Sequence, residues 1–434
     1  MNREKKRVAF KTLGCRLNQY ETDALISDFD RAGYKVVGFK ESADVVVVNT
    51  CTVTNQSDQK SRNMISQAVR GHQEAVVVVT GCMANNCRET LESNRQITYV
   101  VENDRKSSVL SLVEAHFGGE ILSPEKLDAD RFRYSPVSKS LHTRSAVKIQ
   151  DGCNNFCSYC IIPMVRGRAI SRPIPQIVDS VKQTLDNGFK EFVVTGVNIG
   201  RYKWEGKRFE DALDAILKVP GDFRVRISSL EPDGFGDDFY RLFQHPKLTP
   251  HLHLCLQSGS DKVLLRMRRM HDVARFASTV ERFRTYYPYF NFSTDMIVGF
   301  PGETEVDFQE SMDAVKRFGF SHVHTFKYSV RRGTLAERME NHLPEKVKNE
   351  RSVRMRALSE ESRKQYLMRF IGREQTVLIE SVDIRGMARG YGEHYVPVRF
   401  KGRDLQANSF RRVRITGLEG RGEKARMTAE PVDE

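Results

Sequence analysis

The sequence has no run of eighteen or more apolar residues, so no stretch of it is long enough to cross a bilayer as a helix. An apolar leader is missing as well. Met-Asn-Arg-Glu-Lys-Lys-Arg-Val passes straight into a strand-like run, which predicts a cytoplasmic protein with no membrane partner. Cysteine is scarce, at eight in 434 residues. In a reducing compartment so few thiols are expected as metal ligands and core residues rather than as a disulfide framework. A second pair of cysteines two residues apart, which a zinc ribbon needs, is also absent. Only Cys157 and Cys160 have that spacing, and Cys15, Cys51, Cys82, Cys87 and Cys255 are scattered.

What is present is Cys153-Asn-Asn-Phe-Cys157-Ser-Tyr-Cys160, directly after the strand-like run 146–150. Three soft thiolates on one loop can converge on a single centre while leaving a fourth position without a local ligand. An iron–sulfur cubane with one open iron fits that donor set. A disulfide-linked or zinc-stapled loop is the competing reading. The net charge of +13, 69 basic against 56 acidic residues, favours a polyanionic partner over a merely solvated basic surface. The excess falls on the segment with the cysteine triad, at Arg166, Arg168, Arg172, Arg266, Arg268, Arg269, Arg331 and Arg332.

The length predicts two or three domains of α/β class. Residues 1–117 alternate strands (8–13, 45–49, 75–80) with helices (18–32, 56–70). The β-branched runs mark parallel strands buried on both faces of an open, doubly wound sheet. Cys15, Cys51 and Cys82 each follow the carboxyl end of one of these strands, the edge where such sheets bind ligands. A second metal-binding triad is predicted there, with buried core thiols as the alternative. Residues 118–142, irregular and containing Pro124 and Pro136, read as a linker. Over residues 143–370, strands at 146–150, 192–195, 224–228, 252–256, 291–298 and 323–329 alternate with helical pattern. This predicts a partial (β/α)6 barrel with its ligand site at the carboxyl ends, followed by a charged helix over 345–369. From 371 to 434 the pattern becomes short strands (375–380, 395–400, 411–417, 425–429) broken by glycines, a small antiparallel β-barrel. It is read as an RNA-binding appendage or a structural cap. Cys87 reads as a helix-face thiol, Cys255 as a core thiol, and His251 and His253 as structural.

The chain resembles the radical S-adenosylmethionine (SAM) methylthiotransferases across essentially its whole length. The matching pieces are Thr12-Leu-Gly-Cys-Arg-Leu-Asn-Gln-Tyr-Glu21, Asn49-Thr-Cys-Thr-Val53, Gly81-Cys-Met-Ala84 and Gly152-Cys-Asn-Asn-Phe-Cys-Ser-Tyr-Cys-Ile-Ile-Pro163. To these add Arg166-Gly-Arg168, Gln257-Ser-Gly-Ser260, Asp295-Met-Ile-Val-Gly-Phe-Pro-Gly-Glu303 and Tyr328-Ser-Val-Arg-Arg-Gly-Thr334. The resemblance implies two [4Fe–4S] clusters and SAM as cosubstrate. Cys153, Cys157 and Cys160 would hold the cluster that cleaves SAM. Cys15, Cys51 and Cys82 would hold the one that presents the inserted sulfur. It further implies a radical SAM barrel, a terminal TRAM-type barrel, and no side-chain acid–base pair. The SAM contacts so assigned are Tyr159, Thr195, Gly196, Asn198, Ser229, Glu231, Gln257, Val298 and Gly299. Arg166, Arg168, Arg172, Arg411 and Arg412 are assigned to carboxylate, phosphate or RNA backbone.

The motif around Cys15 looks most like the branch that methylthiolates C2 of N6-threonylcarbamoyladenosine beside the tRNA anticodon. Its implied partners are the anticodon stem-loop, a reductase or flavodoxin-type electron donor, and a sulfur source. Branches acting on N6-isopentenyladenosine or a ribosomal-protein aspartate are alternatives. Outside the enzyme class stands a metal-stabilised RNA-binding module. Asn85 stands where the resemblance leads one to expect glutamine.

Overall fold

The computed structural model describes residues 6–135, 137, 143–233 and 235–432. The N-terminal sheet has five parallel strands in the order Lys35–Val37, Arg7–Thr12, Val45–Thr50, Val76–Gly81, Tyr99–Val101. Val45–Thr50 and Val76–Gly81 are buried at every residue. That burial is what their unbroken valine runs require between two helical layers. Cys15, Cys51 and Cys82 fall immediately beyond three adjacent strands of this sheet.

Six parallel strands follow: Ser145–Lys148, Glu191–Thr195, Arg224–Ile227 continued by Ser229–Leu230, His251–Leu254, Asn291–Val298 and His322–Lys327. First and last strands do not pair, so this is the open barrel the strand count predicted. Its outer wall is sealed by an aromatic cluster that includes Phe239, Phe243, Phe283, Phe290 and Phe292. The helix Glu345–Met368 lies against the last strand, where the Ser359 hydroxyl accepts from the Val323 N–H at 3.0 Å.

The C-terminal element is a closed five-stranded barrel of Glu374–Val382, Met387–Tyr391, Pro397–Lys401, Arg426–Pro431 and Phe410–Glu419. Met387–Tyr391 was not expected from sequence, because Gly390 reads as a breaker. In the structure a Cβ at Gly390 would lie 1.9 Å from the Leu378 carbonyl oxygen, so glycine is what lets this strand cross its neighbour closely. The expected strand at 395–400 begins instead at Pro397 and leaves Tyr395 in the preceding turn at φ +58°. Of the expected linker, residues 136 and 138–142 lie outside the described residues. Residues 118–133 stay exposed or half-buried, while Tyr134 and Val137 are buried, Tyr134 edge-on against Tyr20 of the N-terminal domain.

Buried ionic contacts fasten this small barrel to the large one. Arg224 and Arg226 both bond Glu191, and their remaining nitrogens donate to the carbonyls of Thr376, Tyr391, Gly392 and Glu393. Burial alone would raise the Glu191 carboxyl; Arg226, Arg224 and Arg144 hold it down to about 2 from its ordinary 4.5. A group depressed on folding stabilises above its unfolded value and loses that contribution as pH falls through the folded one. The difference corresponds to about 3 kcal/mol present above pH 4.5. Urea titrations between pH 6 and 2 are expected to show this acid-dependent loss in the native chain. In Glu191→Gln the chain should be weaker at neutral pH and its pH slope flattened.

Candidate active site

Each triad is built from backbone conformations that only certain residues allow. Gly81 has φ +96°, and a Cβ there would lie 2.4 Å from the Thr50 carbonyl oxygen, at the carboxyl end of the neighbouring strand. Glycine therefore brings Cys82 against the Cys51 loop. Asn18 ties the third loop in, donating to the carbonyls of Leu13 and Thr50 at 2.8 Å each. Asn49 reaches back to the Asn18 carbonyl at 2.9 Å. The Thr50 hydroxyl accepts from the Met83 N–H at 3.2 Å. Cys15 caps the helix Arg16–Arg31, and Cys82 opens the helix Cys82–Asn86. Asn85 answers the sequence departure: its Oδ1 accepts from the Asn103 N–H at 3.0 Å, and the Asn103 amide lies 3.8 Å from Cys82 Sγ.

Behind Cys82 lies a buried ionic knot joining the N-terminal domain to the barrel. Glu21 meets Lys106, Lys148 at 2.8 Å and Arg166 at 3.0 Å. Asp151 meets Lys148 at 2.7 Å and Arg166 at 3.1 Å. Three cations against two carboxylates leave one positive charge uncompensated, and it faces Cys82. Burial pushes the Cys82 thiol up, while Arg166 and Lys106 draw it back. Burial pushes Cys51 up to about 11. A buried positive excess beside thiols suits an anionic iron–sulfur group, which takes these sulfurs as thiolates.

The second triad lies at the end of the first barrel strand. Gly152, at φ +70°, passes so close under the Arg166–Arg168 turn that a Cβ would sit 2.0 Å from the Arg168 carbonyl oxygen. Gln150 ties this loop to the second strand end: its amide donates to the Asp151 and Gly152 carbonyls, and its Oε1 accepts from Val197 and Asn198 N–H. Side-chain donors already address the sulfurs. Asn198 Nδ2 lies 3.7 Å from Cys153 Sγ, and Arg269 Nη1 lies 3.3 Å from Cys157 Sγ. Such donors to thiolate sulfur tune a cluster's potential. Burial, then Cys157, pushes Cys160 up to about 12.

Neither triad suits a single ion. Among the described residues, the groups of three ligating atoms mutually within 4.8 Å contain no cysteine. Tetrahedral zinc with bonds of about 2.3 Å would hold its sulfurs roughly 3.8 Å apart. Three thiols at each site would suit an open [4Fe–4S] cubane as a donor set, which needs no fourth protein ligand.

A cavity of about 680 Å³ runs through the open barrel interior, large enough for a nucleotide-sized ligand. Its wall follows the two-residue period of the strands: Val193 and Thr195, Arg226 and Ser228, His251 and His253, Ser293 and Asp295, His322 and His324. Cys15 and Arg16 enter from the N-terminal domain, and Tyr391, Tyr395 and Glu423 roof it from the C-terminal barrel. Three domains therefore share one chamber. Tyr395 stacks on His251 at 4.7 Å and on Tyr391 at 4.8 Å, and Arg16 Nη2 donates to its hydroxyl at 3.1 Å. Burial would raise the Tyr395 phenol, but Arg144, Arg16 and Arg226 bring it down to about 8.

Of the residues assigned to SAM, Thr195, Gly196 and Ser229 line this chamber. Asn198 and Glu231 stand behind the cluster loop, Asn198 at Cys153 and Glu231 paired with Arg269. Tyr159 packs edge-on against Phe300 at 6.4 Å, and its hydroxyl lies 3.5 Å from Arg269. Gln257 adopts φ +70° while its backbone bonds Asp295 and Ile297. Val298 is buried in the barrel core, and Gly299 faces the Lys348 side chain.

The anion contacts divide. Arg166 and Arg172, expected at RNA or carboxylate, are 2% and 7% exposed, so they cannot reach a polynucleotide. Arg166 instead belongs to the ionic knot. Arg168 is exposed and lies over the Phe156 ring at 4.5 Å. Arg411 and Arg412 lie on the small barrel, the latter bonded to Glu374 at 2.7 Å. Cys87 is half-buried behind Asn86, and Cys255 is buried.

His251 and His253, read as structural, turn out to line the chamber. His253 Nε2 lies 3.1 Å from Asp295 Oδ1, and its Nδ1 lies 3.0 Å from the Ser293 hydroxyl. Arg16, Tyr391, Tyr395, Asp295 and His324 went unassigned. The shared parity of His251 and His253 with His322 and His324 was the signal available for the barrel face. No local pattern marked Tyr395.

An open six-stranded barrel with a three-cysteine loop at its first strand end defines a radical SAM enzyme. Consistently, the description "Radical SAM superfamily" matches residues 147–315, and "Uncharacterized protein family UPF0004" matches residues 7–102. The threonylcarbamoyladenosine tRNA methylthiotransferase of Thermotoga maritima is 36% identical over 96% of this chain and 96% of its own length. The tRNA-2-methylthio-N(6)-dimethylallyladenosine synthase of Cereibacter sphaeroides is 30% identical over 95% and 96%. Among solved structures, the radical S-adenosylmethionine methyltransferase TsrM of Kitasatospora setae shares the fold. Its TM-score is 0.53 at 15% identity, covering 74% of this chain and 73% of that one. This chain belongs to the radical SAM methylthiotransferase family, transferases that use SAM and [4Fe–4S] centres.

Proposed function

We propose that this enzyme methylthiolates C2 of N6-threonylcarbamoyladenosine in tRNA, with one [4Fe–4S] cluster on each cysteine triad and two SAM molecules per turnover. The chamber carries the reading: Cys15 and the end of the second barrel strand, beside the SAM-cleaving loop, open onto one volume roofed by the C-terminal barrel. When bound, the clusters and SAM supply radical generation, sulfur and methyl group. The chain's own contribution is placement. Asn198 and Arg269 address the sulfurs of Cys153 and Cys157. Glu231 fixes Arg269, and Thr195, Gly196 and Ser229 shape the strand ends. Tyr391 and Tyr395 offer a stacked aromatic surface for an extruded base, while Arg168, Arg411 and Arg412, outside the chamber lining, would meet backbone phosphates. Identity to both tRNA-acting branches supports the RNA substrate, and the greater identity to the threonylcarbamoyl branch supports the nucleoside.

The test is anaerobic turnover with dithionite and SAM on two anticodon stem-loops, one carrying threonylcarbamoyladenosine and one isopentenyladenosine. Mass spectrometry should find the methylthio product on the first, with 5′-deoxyadenosine. Conversion of the second alone would overturn the reading.

A further inference from the structure

Arg16 is the one guanidinium of the chamber wall that belongs to the auxiliary cysteine's own loop, and its only bonded partner is neutral. Its Nη2 donates to the Tyr395 hydroxyl at 3.1 Å, and it forms no ion pair among the described residues. The other wall arginines differ. Arg226 shares the single charge of Glu191 with Arg224 and Arg144, and Arg363 stands on the far helix within the influence of Glu423, its Nε buried without a partner among the described residues. The Asp295 carboxylate is engaged by His253. Around Tyr395, Arg16, Arg144 and Arg226 create a potential that favours negative charge even on a buried phenol. A pocket so arranged, with one unpaired planar fork beside a hydroxyl, suits a carboxylate.

We propose that Arg16, with the Tyr395 hydroxyl, binds the carboxylate of the substrate's threonylcarbamoyl group and so sets the choice of an anionic N6 substituent over an apolar one. This rests on the nucleoside assigned above. The placement follows from sequence adjacency: a cluster on Cys15, Cys51 and Cys82 would present its sulfur toward the chamber, and Arg16, the residue after Cys15 and the first of its helix, lines the same chamber. A purine held there with C2 toward that cluster would set its N6 substituent, borne across N1, within the chamber that Arg16 lines. An apolar substituent would bury the guanidinium without a counter-charge, which penalises it, so one residue both attracts and excludes.

The experiment compares anaerobic binding of reconstituted holoenzyme to stem-loops carrying threonylcarbamoyladenosine or its methyl ester, which keeps the shape and removes the charge. The native enzyme should prefer the acid by roughly ten- to a hundredfold. Arg16→Gln should bring that ratio close to one by weakening the acid alone, and Tyr395→Phe should lower it partly. 5′-Deoxyadenosine formation in Arg16→Gln at saturating SAM reports that the SAM-cleaving cluster is intact, and an iron content of roughly eight atoms per chain reports that both are. Three results would overturn the proposal: a ratio preserved in Arg16→Gln, equal weakening of both stem-loops (a phosphate contact), or a raised apparent Kd for SAM with unchanged stem-loop binding (the SAM carboxylate). Native enzyme that methylthiolates acid and ester equally well would overturn the carboxylate subsite while leaving the tRNA activity standing. Failure to modify either would remove the nucleoside assignment itself.

Discussion

Alanine at Cys82 is expected to halve the iron bound per chain and abolish methylthiolation, while 5′-deoxyadenosine continues to form from SAM. The reason is the separation of the two donor sets. Cys82 stands on the N-terminal sheet edge with Cys15 and Cys51, whereas Cys153, Cys157 and Cys160 share one barrel loop. Replacing Cys157 should therefore abolish both products, since nothing downstream proceeds without SAM cleavage. Iron analysis after anaerobic reconstitution should fall from roughly eight to roughly four atoms per chain in either variant. Cys82 is almost fully buried, and alanine is smaller, so folding is not the variable being tested. If Cys82→Ala retains methylthiolation, the N-terminal triad has no part in sulfur insertion. A parallel Cys87→Ala variant should behave as the native enzyme, because that thiol sits behind Asn86.

The second large effect is structural. Arg166→Met should destabilise the chain by about 3–5 kcal/mol, the usual cost of removing one partner from a buried ionic set. Two carboxylates, Glu21 and Asp151, would then share Lys106 and Lys148, and Asn18 would lose its 2.6 Å bond. Because the knot spans both domains, hydrogen exchange should rise at the Glu21 helix and the first barrel strand together. The Cys82 site should assemble poorly for a separate reason: the positive charge beside it is gone. Lysine at 166 should restore charge but not the forked contact to both carboxylates, giving partial rescue of stability. The acid limit has the same origin. Burial opposes ionisation of Glu21, yet Arg166, Lys106 and Lys148 hold it well below the usual carboxylate range. Docking therefore persists as pH falls past 4.5 and fails only in stronger acid.

Much of this was legible in the chain. Valine runs announced the central strands of the N-terminal sheet, and the cysteines just beyond them were placed at one edge by topology alone. The six barrel strands emerged from their spacing to within a few residues. What remained hidden depended on contacts remote in sequence. Arg166 looked like an RNA contact because guanidinium groups serve phosphates and carboxylates alike; only the approach of Glu21, 145 residues away, decides between them. Gly390 concealed a strand for the reason it is needed there, since a residue that weakens strand pattern also permits a close crossing. Tyr395 carried no signal because its role comes from a turn that folds over another domain's histidine.

The chamber's divided ownership constrains how its specificity can be inherited. Floor, doorway and roof are encoded in three separated stretches: the barrel strands, the loop at Cys15 and the turns around Tyr391 and Tyr395. A recombinant that exchanged only the terminal domain between family branches would join a foreign ceiling to native walls. Drift toward a new nucleoside must therefore change residues hundreds of positions apart in concert, and the three segments are bound to evolve as one heritable unit.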